Sequence, residues 1–147
     1  MRLVSILLSS SLLFALTSPA QGSTGMPACN APSQCAAFAL TEYAAFAPAC
    51  AEMKSPHASA LQQAWQSWKL NQLPLAELKA LQDAGNPQRQ QIFAAVNAHL
   101  RALTPADAQT ECQGRLEIMQ AEDLELFSDH YPKAGIWLVQ QIKAHQK

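Results

Sequence analysis

The sequence predicts an all-α domain, a small disulfide-linked helical bundle of five or six helices. Alanine, leucine and glutamine dominate the 147 residues, β-branched residues are sparse, and no segment alternates polar and apolar residues as strands do. Apolar residues instead recur at helical spacing in stretches that mostly open with a proline. The four cysteines are enough for two cross-links between such helices.

Residues 1–20 have the pattern of a secretory signal peptide. Arg2 precedes an apolar run over residues 3–16, and the small residues after it fit cleavage before Gln21. The run is too short to span a membrane, and the first cysteine, Cys29, lies well beyond the cleavage site. We therefore expect a free exported protein with neither a membrane span nor a lipid anchor.

Chain length predicts a single domain after this segment. Residues 21–32 are small, polar and rich in helix breakers, so they should form an N-terminal arm. Residues 33–147 should form one helical domain with enough apolar content for a core.

The first predicted helix is rich in alanine. Ser33 is a suitable N-cap, and Phe38, Tyr43 and Phe46 follow at positions that can face inward. Because proline cannot donate the helical hydrogen bond, we expect Pro48 to end the helix near Phe46.

The second helix is the most clearly amphipathic one. Residues 55–56, Ser-Pro, combine a cap with a first-turn proline. Leu61, Ala64, Trp65 and Trp68 then recur on one face, with glutamines opposite. We expect the two tryptophans to pack in the core; an exposed aromatic anchor or the wall of an apolar ligand pocket are the alternatives.

Breakers and caps also delimit the remaining helices. A short helix follows Pro74 and stops at residues 84–86, another opens at Pro87, a third follows the cap at residues 104–105, and the last follows Pro132. Their predicted inner faces carry Leu75, Leu78 and Leu81; Ile92, Phe93, Val96, Leu100 and Leu103; Ala108, Cys112, Leu116 and Met119; and Leu138, Val139 and Ile142.

Helix geometry selects one disulfide pairing. Cys35 and Cys50 would lie roughly 20 Å apart at the two ends of the first helix, too far for a bridge. Pairing Cys29 with Cys50 would send the arm back along the whole helix. We therefore predict Cys29–Cys35 and Cys50–Cys112, both structural, because the spacing fits neither a zinc site nor a Cys-x-x-Cys redox motif.

Charge is unevenly distributed along the chain. After position 20 there are nine Lys or Arg against eleven Asp or Glu, with no basic cluster, so the sequence does not favour nucleic-acid binding. Residues 107–129 hold seven acids and one base, Arg115. This segment should form a negative face, serving either solubility alone or the docking of a basic partner.

The histidines do not form a recognisable catalytic or metal motif. His99 is spaced to lie near the core, whereas His57 and His145 should be solvated. His130 follows Glu122, Asp123 and Glu125, ligand types for a divalent cation, but without the spacing that brings ligands onto one helix face. No Gly-x-Ser-x-Gly or Ser-x-x-Lys is present, and we predict neither a catalytic activity nor a cofactor.

The segment before the last helix is the candidate interaction surface. It alternates apolar residues with acids, and Phe127 and Tyr131, rimmed by acids, could form a recognition patch. The residues assigned to it are Glu122, Asp123, Glu125, Phe127, Asp129, His130 and Tyr131.

Two functional hypotheses follow from these features. The first is a non-catalytic envelope protein that binds another envelope or secreted protein, as an inhibitor or immunity protein, an assembly factor or a chaperone. The second is a carrier of a small ligand or metal, with a cleft near Trp65, His99 and His130. Size, cysteine number and the lack of an Asn-x-Ser/Thr site favour the periplasm over the extracellular space.

Overall fold

The computed structural model describes residues 25–68, 73–121, 128–129 and 131–145. The regular secondary structure in these ranges is helical. Six helices are bounded within these ranges: α1 Pro32–Glu52, α2 Ala58–Ser67, α3 Ala76–Leu81, α4 Pro87–Ala102, α5 Pro105–Ala121 and α6 Pro132–His145. No strand occurs in the described residues, which confirms the all-α prediction. The predicted signal peptide, residues 1–20, lies outside them.

Helix α1 forms the centre of the bundle. It contacts each of the other five helices, and thirteen of its 21 residues are buried. A helix that is apolar around most of its circumference needs neighbours on several sides. Its many alanines allow those neighbours to approach closely, while Phe38, Tyr43 and Phe46 fill the wider gaps, as predicted.

The predicted end of α1 at Pro48 is wrong. The helix continues through Pro48 to Glu52, and Pro48 itself is exposed. The proline removes one backbone hydrogen bond, to the carbonyl of Ala44. Burial of Ala49 and Cys50 in the following turn, with Cys50 cross-linked, offsets that cost.

The start of α1 also differs from the prediction. The helix begins at Pro32, with Ala31 at the N-cap in an extended conformation. The side chain of Ser33, which was expected to cap the helix, instead donates a hydrogen bond to Oε1 of Glu77 at 2.8 Å. Ser33 therefore links α1 to α3.

A left-handed residue closes the C-terminal end of α1. Lys54 has φ 55°. Its N–H donates to the carbonyl of Ala51, and the N–H of Ser55 donates to that of Cys50 at 2.8 Å. These two bonds form a Schellman motif, in which glycine is preferred at the position of Lys54.

Trp68 is buried although it lies outside the helix on whose inner face it was predicted. Helix α2 begins at Ala58, later than predicted, and ends at Ser67, so Trp68 lies beyond it in extended backbone. Its side chain is nevertheless 1% exposed, and its ring centroid lies 5.5 Å from that of Tyr43. Trp65, by contrast, is only half-buried.

The cap predicted for α5 is present, and α4 has a side-chain cap that the sequence analysis assigned only to the end of the preceding helix. Oδ1 of Asn86 accepts hydrogen bonds from the backbone N–H groups of Gln88 and Arg89. Oγ1 of Thr104 accepts from the N–H of Asp107 and donates to its carboxylate. Each cap satisfies backbone donors that the first turn of a helix leaves free.

Gly135 allows residue 128 to approach α6 closely. A Cβ at this position would lie 2.5 Å from Cα of Ser128, well inside van der Waals contact. Any side chain would push the two segments apart.

Both predicted disulfides are confirmed. Cys29–Cys35 ties the arm to the first turn of α1, and Cys50–Cys112 joins the last turn of α1 to α5. Cys50 and Cys112 are fully buried.

We predict that Lys54→Gly stabilises the protein by about 1 kcal/mol, because a left-handed conformation is strained in any residue with a Cβ. Urea unfolding followed by circular dichroism would measure the change. Lys54→Ala is the control, since it removes the charge but keeps the Cβ. Equal stabilisation by both variants would contradict the explanation.

We predict that replacing both cysteines of the Cys50–Cys112 bridge with alanine costs about 4 kcal/mol, against about 2 kcal/mol for the Cys29–Cys35 bridge. The bridges span 62 and 6 residues, and the larger closed loop restricts the unfolded chain more. The measurement is the free energy of unfolding of each double variant compared with the wild type. Equal losses in the two variants would show that loop size does not set the stabilisation.

Candidate functional site

A buried arginine organises the polar groups of the domain. Arg115 projects from α5 with its side chain 13% exposed. Its guanidinium carbon lies 4.5 Å from the ring centroid of Phe46 and 5.3 Å from that of Tyr43. Two aromatic faces on α1 therefore cover this cation and exclude water from it.

One acid and one phenol form hydrogen bonds with this guanidinium, and a second acid lies within ion-pair distance. Glu111 accepts hydrogen bonds from Nε and Nη2 of Arg115 at 3.1 and 3.0 Å, and Nη1 donates to the hydroxyl of Tyr131 at 3.3 Å. Glu42 lies farther away, with 4.0 Å between its Oε1 and Nη2 of Arg115. We call Arg115, Glu42, Glu111, Tyr43 and Tyr131 the Arg115 cluster.

Burial changes the pKa values of the two phenols and of the guanidinium in this cluster. It raises the pKa of Tyr131, and the charge of Glu42 and a hydrogen bond with it act in the same direction, against the opposing effect of Arg115. Burial likewise raises the pKa of Tyr43. For Arg115 burial lowers the pKa, but the two tyrosines and the acids outweigh it, so the guanidinium stays charged.

His99 lies at the edge of the Arg115 cluster. Its Nε2 is 3.8 Å from Oε1 of Glu111, and its side chain is 50% exposed. The expectation that His99 is a core residue is therefore wrong. It stands near the end of α4, where its ring reaches out toward α5.

Two clefts meet beneath the N-terminal arm. One, which we call the arm cleft, has a volume of 380 Å³ and separates the arm from α1 and α6. The other, the His99 pocket, has a volume of 260 Å³ and includes Arg115. Met26 and Glu42 line both. The arm is held here by its disulfide and by a 3.3 Å hydrogen bond from Nε2 of Gln91 to the carbonyl of Gly25.

A third cleft continues along α6 on the other side of the disulfide. This α6 cleft has a volume of 350 Å³ and is lined by Ile136 and Trp137. It shares Cys29, Cys35 and Lys133 with the arm cleft. The two clefts thus adjoin along the seam between the arm and α6.

A separate, wider groove crosses α1 on another side. It has a volume of 880 Å³ and runs between α2 and α4 over the surface of α1 near Pro48. Trp65 and Phe93 line it, with the guanidinium of Arg89 4.1 Å from the Phe93 ring centroid. Trp65 and His99, which the carrier hypothesis placed at one cleft, line different ones.

The candidate interaction surface is described only in part. Glu122, Asp123, Glu125, Phe127 and His130 lie outside the described residues.

Its two described members have different surroundings. Asp129 is exposed. Tyr131 is half-buried, lines the arm cleft and packs edge-on against Tyr43 with 5.9 Å between ring centroids. The structure therefore assigns Tyr131 to the Arg115 cluster as well as to the cleft wall.

Arg115, Glu111 and Glu42 belong to no motif that the sequence displays. The spacing of Glu111 and Arg115, four residues apart on one helix, is the signal that pairs them. Glu42 is the one charged residue in the interior of the alanine-rich helix, which ends at Glu52, and only the packing of α5 against α1 explains it.

Metal and membrane features are not found in the described part of the chain. No group of three His, Cys, Asp or Glu side chains is placed there to hold a metal ion. None of its helices has the length and apolar character needed to cross a membrane.

Comparison of the chain with protein-family models, with curated proteins and with solved structures gives no match.

We predict that tyrosine ionisation and unfolding occur together at alkaline pH. The unfolded chain releases phenolic protons near pH 10, whereas Tyr43 and Tyr131 in the folded protein hold theirs to higher pH. Their contribution to stability is present below about pH 10 and is lost as the pH rises further.

The measurement is tyrosinate absorbance and helical circular dichroism from pH 7 to 12. These are the only two tyrosines of the sequence, so the absorbance reports on them alone. The single tyrosine of a Tyr131→Phe variant should also ionise only with unfolding. Ionisation with a midpoint near pH 10 in a fully helical protein would contradict the burial of these phenols.

Proposed function

We propose that this protein is an exported, non-catalytic envelope protein that acts by binding another protein. The observation that supports it most is the exposure of Met26 and Ile136, 37% and 63%, the two large hydrophobic side chains exposed among the described residues. They line the adjoining clefts along the arm and α6. Exposed apolar side chains that gather at one place are typical of recognition surfaces.

The chemistry of the polar groups favours binding over catalysis. The strongest donors in the Arg115 cluster are directed to Glu111 and Tyr131 in the same domain. Such bonds stabilise the contact of α5 with α1. A catalytic site would instead present a nucleophile beside a base that is open to substrate.

The partner we propose has a basic surface. The acidic residues assigned to the candidate interaction surface directly precede α6 in sequence, and Asp129 is exposed. A partner that covers Ile136 would lie close to the start of α6 and could meet these acids. Charges at the rim of an interface raise the association rate and the selectivity for one partner more than they raise the affinity.

The compartment we propose is the periplasm, with the extracellular space as the alternative. Two disulfides support an oxidising compartment, since such bonds are rare in reducing ones. Residues 1–20 carry the export signal on which the proposal depends.

A second candidate function is the transport of a small ligand. It is favoured by the arm cleft, whose walls are almost entirely apolar and whose volume of 380 Å³ is in the range of ligand pockets.

We predict that Ile136→Asp weakens partner binding by about tenfold or more, because it places a charge in the apolar centre of the proposed interface. The tagged protein, with its disulfides intact, would be incubated with envelope extract, and captured proteins would be identified and quantified by mass spectrometry. A partner captured by the wild type and lost with Ile136→Asp supports the proposal.

Ala98→Asp is the matched control, because it adds the same charge at an exposed position on α4. It should retain the partner. Equal capture by Ile136→Asp, or native mass spectrometry that finds a bound small molecule and no protein partner, would contradict the proposed function.

A further inference from the structure

The wide groove across α1 is positively charged, although the chain as a whole is slightly acidic. Its lining includes two cations, Lys54 and Arg89, and no acid. The whole sequence has 10 Lys or Arg against 11 Asp or Glu. A groove whose charged lining is entirely positive favours a negatively charged ligand.

Arg89 has a geometry suited to binding a carboxylate. Its guanidinium carbon lies 4.1 Å from the centroid of the Phe93 ring, so the ring covers one face of the cation. The N–H groups lie at the edge of the guanidinium plane, and a ring on the face leaves that edge open. The ion pairs between described residues involve the cations of His99, Arg101 and Arg115, and not Arg89. An external carboxylate can therefore pair with Arg89.

The floor and one wall of the groove offer polar groups that match a peptide backbone. Pro48 has no N–H to donate to the carbonyl of Ala44, and both residues line the groove, so this carbonyl lacks its usual helical donor there. On the α2 wall, the exposed side chains of Gln62 and Gln63 add amide donors and acceptors. An extended peptide presents N–H and C=O groups that can bond to such a lining.

The dimensions of the groove suit a short stretch of extended chain. From Ala44 to Lys54 the lining follows α1 and the residues just after it for roughly 15 Å, at 1.5 Å per residue. About four or five residues of an extended peptide cover the same length. Trp65 and Phe93, both half-buried, supply aromatic surface against which an apolar side chain can pack.

We propose that this groove binds an extended acidic peptide segment of another protein, with one carboxylate paired with Arg89 and an apolar side chain against Trp65 and Phe93. A second carboxylate can meet Lys54 at the end of α1. The groove is separate from the clefts along the arm and α6. This site therefore does not rest on the proposed function, and it takes a partner of the opposite charge.

The test is a titration of purified, disulfide-intact protein with three capped pentapeptides: Glu-Ala-Phe-Ala-Glu, Gln-Ala-Phe-Ala-Gln and Lys-Ala-Phe-Ala-Lys. Indole N–H resonances of isotopically labelled protein would report binding, because the three tryptophans lie in different places: Trp65 in the groove, Trp137 in the α6 cleft and Trp68 in the core. The acidic peptide should shift Trp65 saturably and bind about tenfold more tightly than the neutral one, in line with a charged hydrogen bond. The basic peptide should give no saturable shift.

Three variants locate the selectivity. Arg89→Gln should weaken binding of the acidic peptide about tenfold and leave the neutral peptide unchanged; a mere disturbance of packing around Phe93 would weaken both. Lys54→Gln should weaken the acidic peptide about two- to threefold, because this exposed charge is screened by solvent. Lys79→Gln, which removes an exposed charge on α3 outside the groove, is the matched control and should change nothing.

Other occupants of the groove would give different results, and each would overturn the proposal. Equal binding of the acidic and neutral peptides, or an acidic preference that persists in Arg89→Gln, would exclude the carboxylate pair. Acetate that shifts Trp65 as strongly at the same carboxylate concentration would assign the groove to small anions.

The same resonances distinguish two further outcomes that would contradict the site. A Trp65 resonance that moves with protein concentration alone would assign the groove to a second copy of the chain. A shift of Trp137 in place of Trp65 would put the peptide in the α6 cleft. Loss of the partner predicted for the Ile136 surface would leave all these results unchanged, so failure of the proposed function and failure of this site can be told apart.

Discussion

The burial of α1 is the constraint on which the rest of this structure depends. A helix that is apolar on most of its circumference cannot lie at a surface, so the other helices must surround it. Its small residues let five helices approach one axis, and its aromatic residues occupy the spaces that remain. The long disulfide holds the end of α1 against α5 and so secures this arrangement at the point where Pro48 weakens the helix.

Charged groups next to this core need opposite charges or hydrogen bonds to offset the cost of leaving water. The Arg115 cluster provides both. Arg115 reaches from α5 across the face of α1, where aromatic rings cover the guanidinium and Glu111 supplies its closest opposite charge. A partly buried ion pair of this kind adds little net stability compared with apolar packing, but removing one partner would leave an uncompensated charge. We therefore expect the cluster to contribute more to the register of α5 on α1 than to the stability of the fold.

The N-terminal arm gives the domain its most distinctive surface. It is too short and too rich in breakers to form a helix of its own, and the short disulfide with a bond from α4 holds it across the bundle. The spaces on either side of it become clefts that share Glu42, and its edge against α6 exposes Ile136. The protein-binding surface that we propose depends on this one segment.

The residues by themselves determine the helical class, the helix starts at Pro87, Pro105 and Pro132, and the disulfide pairing of this protein. These features are local or follow from rigid helix geometry: a cap such as Asn86 acts within one turn, and two cysteines at opposite ends of a helix cannot meet.

Packing decides the rest, because the contacts concerned join residues far apart in sequence. α1 passes through Pro48 since burial of the turn beyond it outweighs one lost hydrogen bond. Trp68 is buried from a position outside any helix, and Glu42, Arg115 and Tyr131 meet only where three helices converge. The clefts exist only in the folded chain, because their walls come from the arm, α1 and α6 together.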